Sequence, residues 1–108
     1  MYKKNTITVV IPAFNEEHLI TNTVNGMPDF IDKIIVINDA SQDNTSAIVQ
    51  KLVDTNEKIH LINHEKNLGV GGAIASGYKW SRDNEFDITV VMAGDAQMDP
   101  TDLPSLLD

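Results

Sequence analysis

The sequence has no cysteine, which excludes disulfides, thiolate metal centres and cysteine nucleophiles. That absence suits a reducing compartment. The chain is expected in the cytoplasm, with a place at the cytoplasmic membrane face open to the full-length protein. Basic residues are scarce as well: eight Lys and Arg stand against sixteen Asp and Glu, for a formal charge of -8. No cluster of bases offers the face a nucleic acid requires, so no nucleic-acid partner is expected. Long apolar runs are missing. Met1-Tyr2-Lys3-Lys4-Asn5 leads into a short one that reads as neither signal peptide nor transmembrane span. His18, His60 and His64 fall at no zinc-binding spacing. There is no GxxxxGK[ST] phosphate loop. Gly69-Val70-Gly71-Gly72 begins like GxGxxG, but Ile74 takes the place of the third glycine and no first strand precedes it.

What is present is enough for one domain. Apolar residues make up 42% of 108, sufficient for a buried core and against disorder. Ile7 to Ile11, Lys33 to Ile37, Ile59 to Ile62 and Ile88 to Met92 are short β-branched runs. Being nearly continuous rather than alternating, they read as strands buried on both faces of a parallel sheet. Pro12 is expected to stop the first.

The intervening segments repeat at helical spacing. Leu19, Ile20, Val24 and Met27 form one stripe; Ala47, Ile48, Leu52 and Val53 form a second. A third helix from about Val70 to Trp80 sets Ala73 and Gly77 one turn apart, which would bring its backbone close to the sheet. Glu16-Glu17 and Asp43 are expected in first turns, with Asp43 or Asn44 as N-cap, and Gly26-Met27-Pro28 as a stop signal. Strands alternating with helices imply right-handed crossovers: an α/β three-layer sandwich with a mostly parallel sheet. At the end, Thr101 to Asp108 starts a helical pattern that has barely begun. Residues 1–108 therefore read as part of a larger domain.

Ligands of open parallel sheets bind outside the carboxyl ends of the strands. Those ends run into Pro12-Ala13-Phe14-Asn15-Glu16, Asn38-Asp39-Ala40-Ser41-Gln42-Asp43, Asn63-His64-Glu65-Lys66-Asn67-Leu68-Gly69 and Ala93-Gly94-Asp95-Ala96-Gln97. Carboxylates gathered on one edge repel unless a cation compensates. A hard, oxygen-liganded ion such as Mg²⁺ or Mn²⁺ would do so and would bridge to a diphosphate. Asn67 and Gly69 would let a loop lie close to a bound ligand.

Four motifs together resemble the family 2 inverting glycosyltransferases of the GT-A fold. Val10-Ile11-Pro12-Ala13-Phe14-Asn15-Glu16-Glu17 looks like the family's opening strand and loop. Ile35 to Thr45 looks like its second strand and Asp-(Gly/Ala)-Ser-x-Asp-x-Thr turn. Asn67 to Ala73 is similar to its Asn-x-Gly start of a helix, and Val91 to Pro100 falls on its metal-binding DxD segment. The nearest members are the dolichyl- or polyprenyl-phosphate sugar synthases. The resemblance implies that residues 1–108 are the Rossmann-like, nucleotide-sugar-binding half of such a domain. It also implies that Pro12, Ala13 and Glu16 line the nucleobase and ribose pocket, and that Asp39 accepts a hydrogen bond from a uracil or guanine ring. Asp95 and Gln97 would contact the metal, while the family's first DxD carboxylate falls on Ala93. The donor would be a UDP- or GDP-type sugar. The acceptor, a hydroxyl or a phosphate oxygen, stays open, with a lipid phosphate the candidate that the sugar-synthase subgroup implies. No catalytic residue is assigned within the chain, and the fragment alone is expected to bind nucleotide without transferring sugar.

Plainer readings stand beside these. Glu17 reads as favouring a helix start, Asp43 as a cap, Asp99 as capping the turn at Pro100. His64 and Glu65 read as solvated loop residues, His60 as structural, Tyr78 and Trp80 as packing. The other functional classes are a non-catalytic nucleotide-binding or assembly module and a phosphoaccepting receiver. The receiver lacks its paired acids after the first strand and its lysine at the end of a later one.

Overall fold

The computed structural model describes residues 5–92. Four strands, β1 (Ile7–Ala13), β2 (Lys33–Asn38), β3 (Ile59–Asn63) and β4 (Ile88–Val91), alternate with α1 (Ile20–Asn25), α2 (Thr45–Thr55) and α3 (Gly69–Asp83). The sheet order is β3-β2-β1-β4, and all three pairings are parallel. The chain moves outward from β1 to β3, then α3 carries it back across the sheet to β4. The strand order therefore reverses beside β1, the position where such sheets form a ligand crevice.

Side chains alternate between the two faces of the sheet, as the pleat demands. Ile7, Val9, Ile11, Ala13, Ile34 and Val36 belong to one apolar cluster with Ile20, Val24 and Val49 from α1 and α2. Val10, Ile35 and Ile37 belong to the other, with Ala73 of α3. Helices on both faces give the three layers, and each fully buried aliphatic side chain contributes roughly 1.5–3 kcal/mol relative to exposure. The α3 surface against the sheet is made of Ala73, Gly77 and Ser81, spaced four apart so that a row of small residues meets the strands.

Some sequence expectations shift. β1 runs through Pro12 to Ala13. Val10 gives its carbonyl to Met92 on the β4 side, whereas Ala13 gives its carbonyl to Asp39 on the β2 side. Pro12 shares the direction of Val10, and the β4 pairing ends at Val10 with Val91. Its missing N–H thus faces the β4 side and leaves the pairing with β2 intact through Ala13. In α1 the stripe is shorter than the pattern suggested, with Leu19 40% exposed. In α2 the buried positions are Thr45 and Val49, and Ala47 is exposed. Glu16 and Glu17 precede α1 instead of entering its first turn, because their amides are held by Thr45 Oγ1 and Asp43 Oδ2.

Candidate functional site

Asp39 follows β2, with its N–H donating to the carbonyl of Ala13 at 2.9 Å. Its side chain is only 5% exposed. A buried carboxylate is costly unless donors surround it, and here they do. The amides of Leu68 and Gly69 donate to Oδ1 and Oδ2, each at 2.8 Å. His64 Nδ1 lies 2.8 Å from Oδ1. An ionised carboxylate only accepts, so Nδ1 carries a hydrogen. Nε2 lies 2.8 Å from Ser76 Oγ, accepting from the hydroxyl in the neutral ring and donating to it in the protonated one. Asn67 Nδ2 donates to the backbone carbonyl of Asp39 at 3.3 Å, and Asn67 Oδ1 accepts from Gly69 N–H at 2.9 Å.

Burial pushes the Asp39 carboxyl up, but the His64 bond, the two amides and the charge His64 can carry outweigh it and hold the group below its ordinary value. Leu68 and Gly69 begin α3, so the carboxylate also sits at the positive end of that helix dipole. The first amides of α3 are therefore spent on Asp39 and not on an incoming phosphate. Of the four lone-pair positions on the carboxylate, three accept these bonds; among the described residues the one that remains is on Oδ2.

The loops after β1 and β2 are laced together. Asn15 and Ala40 both take left-handed backbone, at φ 54° and 61°. Asn15 N–H donates to Ser41 Oγ, and Gln42 N–H donates to Asn15 Oδ1. Asp43 accepts from the amide and the hydroxyl of Thr45 and from the amide of Glu17. Asp43 thus caps α2 from one residue before the position of Asn44, whose own side chain makes no capping bond. Burial pushes the Asp43 carboxyl up, but the bonds from Thr45 and the backbone amides of Glu17 and Asp43 together hold it below its ordinary value.

The structure brings Asp39, Asn67 and Gly69 into one hydrogen-bonded unit. The register Pro12 with Ile37 and Ala13 with Asn38 sets the end of β1 beside it. Glu16 lies farther along, its amide bound to Thr45. Asp95 and Gln97 lie outside the described residues, and so does Ala93. Among the described residues no three His, Asp or Glu side chains converge to hold a metal. His64 is the residue the sequence reading placed wrongly. It is 9% exposed and pinned at both ring nitrogens, because the β2–β3 register sets Asn38 opposite Asn63 and so the next residue of each strand side by side. Trp80 packs as expected, stacked between His60 and Phe86, whereas Tyr78 is 47% exposed. A cleft of about 260 Å³ beside Val24, Ile34 and Lys58 lies at the opening end of β2, away from Asp39.

The parallel sheet, the reversal of strand order beside β1 and the polar strand ends define a GT-A-type α/β fold. A mannosyltransferase from Pyrobaculum calidifontis, solved with GDP-Man and Mn²⁺, superposes with a TM-score of 0.78 at 22% identity, over 96% of this chain and 31% of that one. At that identity the likeness is one of fold. Glucosyl-3-phosphoglycerate synthase from Mycobacterium tuberculosis, in complex with UDP, superposes with a TM-score of 0.70 at 25% identity, over 96% and 39%. The family model described as glycosyl transferase family 2 matches residues 8–108, and the chain belongs to that family. A UDP-N-acetylglucosamine–dolichyl-phosphate N-acetylglucosaminyltransferase of Methanococcus voltae is 36% identical over 94% of this chain and 45% of its own length. An undecaprenyl-phosphate mannosyltransferase of Micrococcus luteus is 27% identical over 94% and 43%. The chain spans less than half the length of these curated relatives.

Proposed function

We propose that the full-length protein transfers a sugar from a UDP- or GDP-type nucleoside-diphosphate sugar to a polyprenyl or dolichyl phosphate, and that residues 1–108 supply its nucleotide-binding part. The observation that carries this reading is Asp39, a buried, ionised acceptor at the end of β2, next to the point where the strand order reverses. Its remaining Oδ2 lone pair takes an N–H of the nucleobase. Pro12, Ala13 and Glu16 line the base and ribose pocket, and Asn67 and Gly69 keep the following loop close to the ligand. The dolichyl- and undecaprenyl-phosphate relatives support the acceptor.

Asp95 and Gln97 are the residues of this chain that would hold Mg²⁺ or Mn²⁺, an ion that neutralises the diphosphate; Mn²⁺ in two related structures supports it. A phosphate acceptor is already anionic and needs no general base to attack the anomeric carbon. The nucleoside diphosphate leaves as the new bond forms. We place the full-length protein at the cytoplasmic membrane face, where a lipid phosphate is presented; among the described residues no helix is long and apolar enough to cross a membrane.

The test is calorimetric titration of UDP- and GDP-sugars into the full-length protein, with and without Mn²⁺, paired with transfer to a polyprenyl phosphate. Binding of one nucleotide class, tightened by the ion, with sugar transfer is the expected result. Binding without transfer would favour a non-catalytic module, and no binding to any nucleotide sugar would overturn the reading.

A further inference from the structure

We propose that His64 is a positioning residue for nucleobase recognition, acting through Asp39, and that Ser76 on α3 fixes the tautomer that lets it do so. The proposal rests on the nucleotide reading of Asp39 given above. Three elements meet at this carboxylate: the end of β2, the loop after β3 and the start of α3. His64 joins all three. Its amide donates to the carbonyl of Asn38 at 2.9 Å, its Nδ1 reaches Asp39, and its Nε2 reaches Ser76.

The consequence lies in the lone pairs. Oδ1 takes both His64 Nδ1–H and Leu68 N–H, so its two acceptor positions are filled. Among the described residues, Oδ2 takes only Gly69 N–H. A base N–H can therefore bond only Oδ2, in the direction those three donors leave open. Without the His64 bond, Oδ1 gains a free acceptor position beside the one on Oδ2, and a base N–H can bond either oxygen. Recognition then loses its single geometry. Ser76 matters because a serine inside a helix ordinarily bonds back to a carbonyl one turn earlier; here its hydroxyl is directed at the ring instead. In the neutral ring, a hydroxyl donating to Nε2 favours the tautomer with hydrogen on Nδ1, the one Asp39 needs.

The experiment uses the full-length protein and two probes: UDP or GDP, whichever binds, and ribose 5-diphosphate, which lacks the base. Their affinity ratio measures what the base contributes. His64→Leu is expected to lower that ratio by roughly tenfold, the scale of a hydrogen bond to a charged group, while ribose 5-diphosphate binds as before. His64→Asn, whose Nδ2 stands where Nδ1 stood, restores most of the ratio. A merely structural histidine would weaken both probes together and leave the ratio unchanged; that result overturns the proposal. Nitrogen NMR of the unsubstituted protein gives an arm that needs no variant. Hydrogen on Nδ1 of His64, mixed between both nitrogens in Ser76→Ala, is expected; hydrogen on Nε2 in the unsubstituted protein overturns it. Failure of the unsubstituted protein to bind either nucleotide would overturn the nucleotide reading itself, and is told apart because it appears before any substitution.

Discussion

Gly77 of α3 lies so close over Val10 of β1 that a Cβ on the glycine would overlap both valine methyls. Val10 is fully buried at the centre of the sheet, so neither residue can move aside cheaply.

Gly77→Ala is therefore expected to destabilise the fold. Alanine would gain about 1 kcal/mol of helix propensity, but overpacking a rigid contact costs about 1–3 kcal/mol. A clash with the β-branched methyls sits at the upper part of that range and wins. Urea denaturation should show the loss. Combining it with Val10→Ala should cost less than the two single changes summed, since the pair shares one volume.

Gly71→Ala should do the opposite. A Cβ there meets nothing within 4 Å, and the position is an exposed one in the first turns of α3. Only the helix-propensity gain remains, about 0.5–1 kcal/mol. A higher midpoint in the same urea experiment is the expected result, and an unchanged or lower one would show that the start of α3 is not ordinary helix.

Asp39→Asn should destabilise by about 1–3 kcal/mol, because the neutral amide replaces one acceptor with a donor among three N–H groups. It should also abolish the nucleobase preference measured with UDP and GDP. Loss of stability with unchanged nucleotide binding would confine Asp39 to a structural role.

Stability should fall on the acid side in two stages. His60 is held below its ordinary 6.5 by burial first and by the charge of Lys33 second. The unfolded chain takes up that proton at higher pH than the folded one, so stability is full above about 6.5 and declines as pH falls toward the folded value. Asp39 and Asp43 are held below their ordinary 3.8 by bonds that outweigh burial. Their contribution is present above that value and is lost as pH drops through the folded ones. Thermal unfolding across this range should show both stages, and His60→Gln should erase only the upper one.

Much of the fold was legible in short stretches of sequence. The strand runs were visible because both faces of a parallel sheet demand β-branched residues, and Ala73 with Gly77 announced a helix lying close to it. Pro12 misled because its missing N–H faces β4, where the pairing among the described residues ends at Val10, while the β2 side carries the strand on to Ala13. Ala47 and Val49 are both small or apolar enough to sit inside; α2 chose Val49 because Thr45, one turn earlier, is anchored to Asp43 and Glu16. Asp43 as a cap was legible, since capping is a contact between near neighbours.

By itself the sequence determined the alternation of elements, the family motifs and the placing of Asp39 at the polar end of a buried run. All of these depend on residues within a few positions of one another. Only the tertiary structure decided what surrounds that carboxylate. His64 is 25 residues away and Gly69 is 30, and both reach Asp39 through the parallel register that aligns Asn38 with Asn63. A buried loop histidine and a solvated one look identical in a string of letters. What separates them is which buried charge the register sets beside the ring.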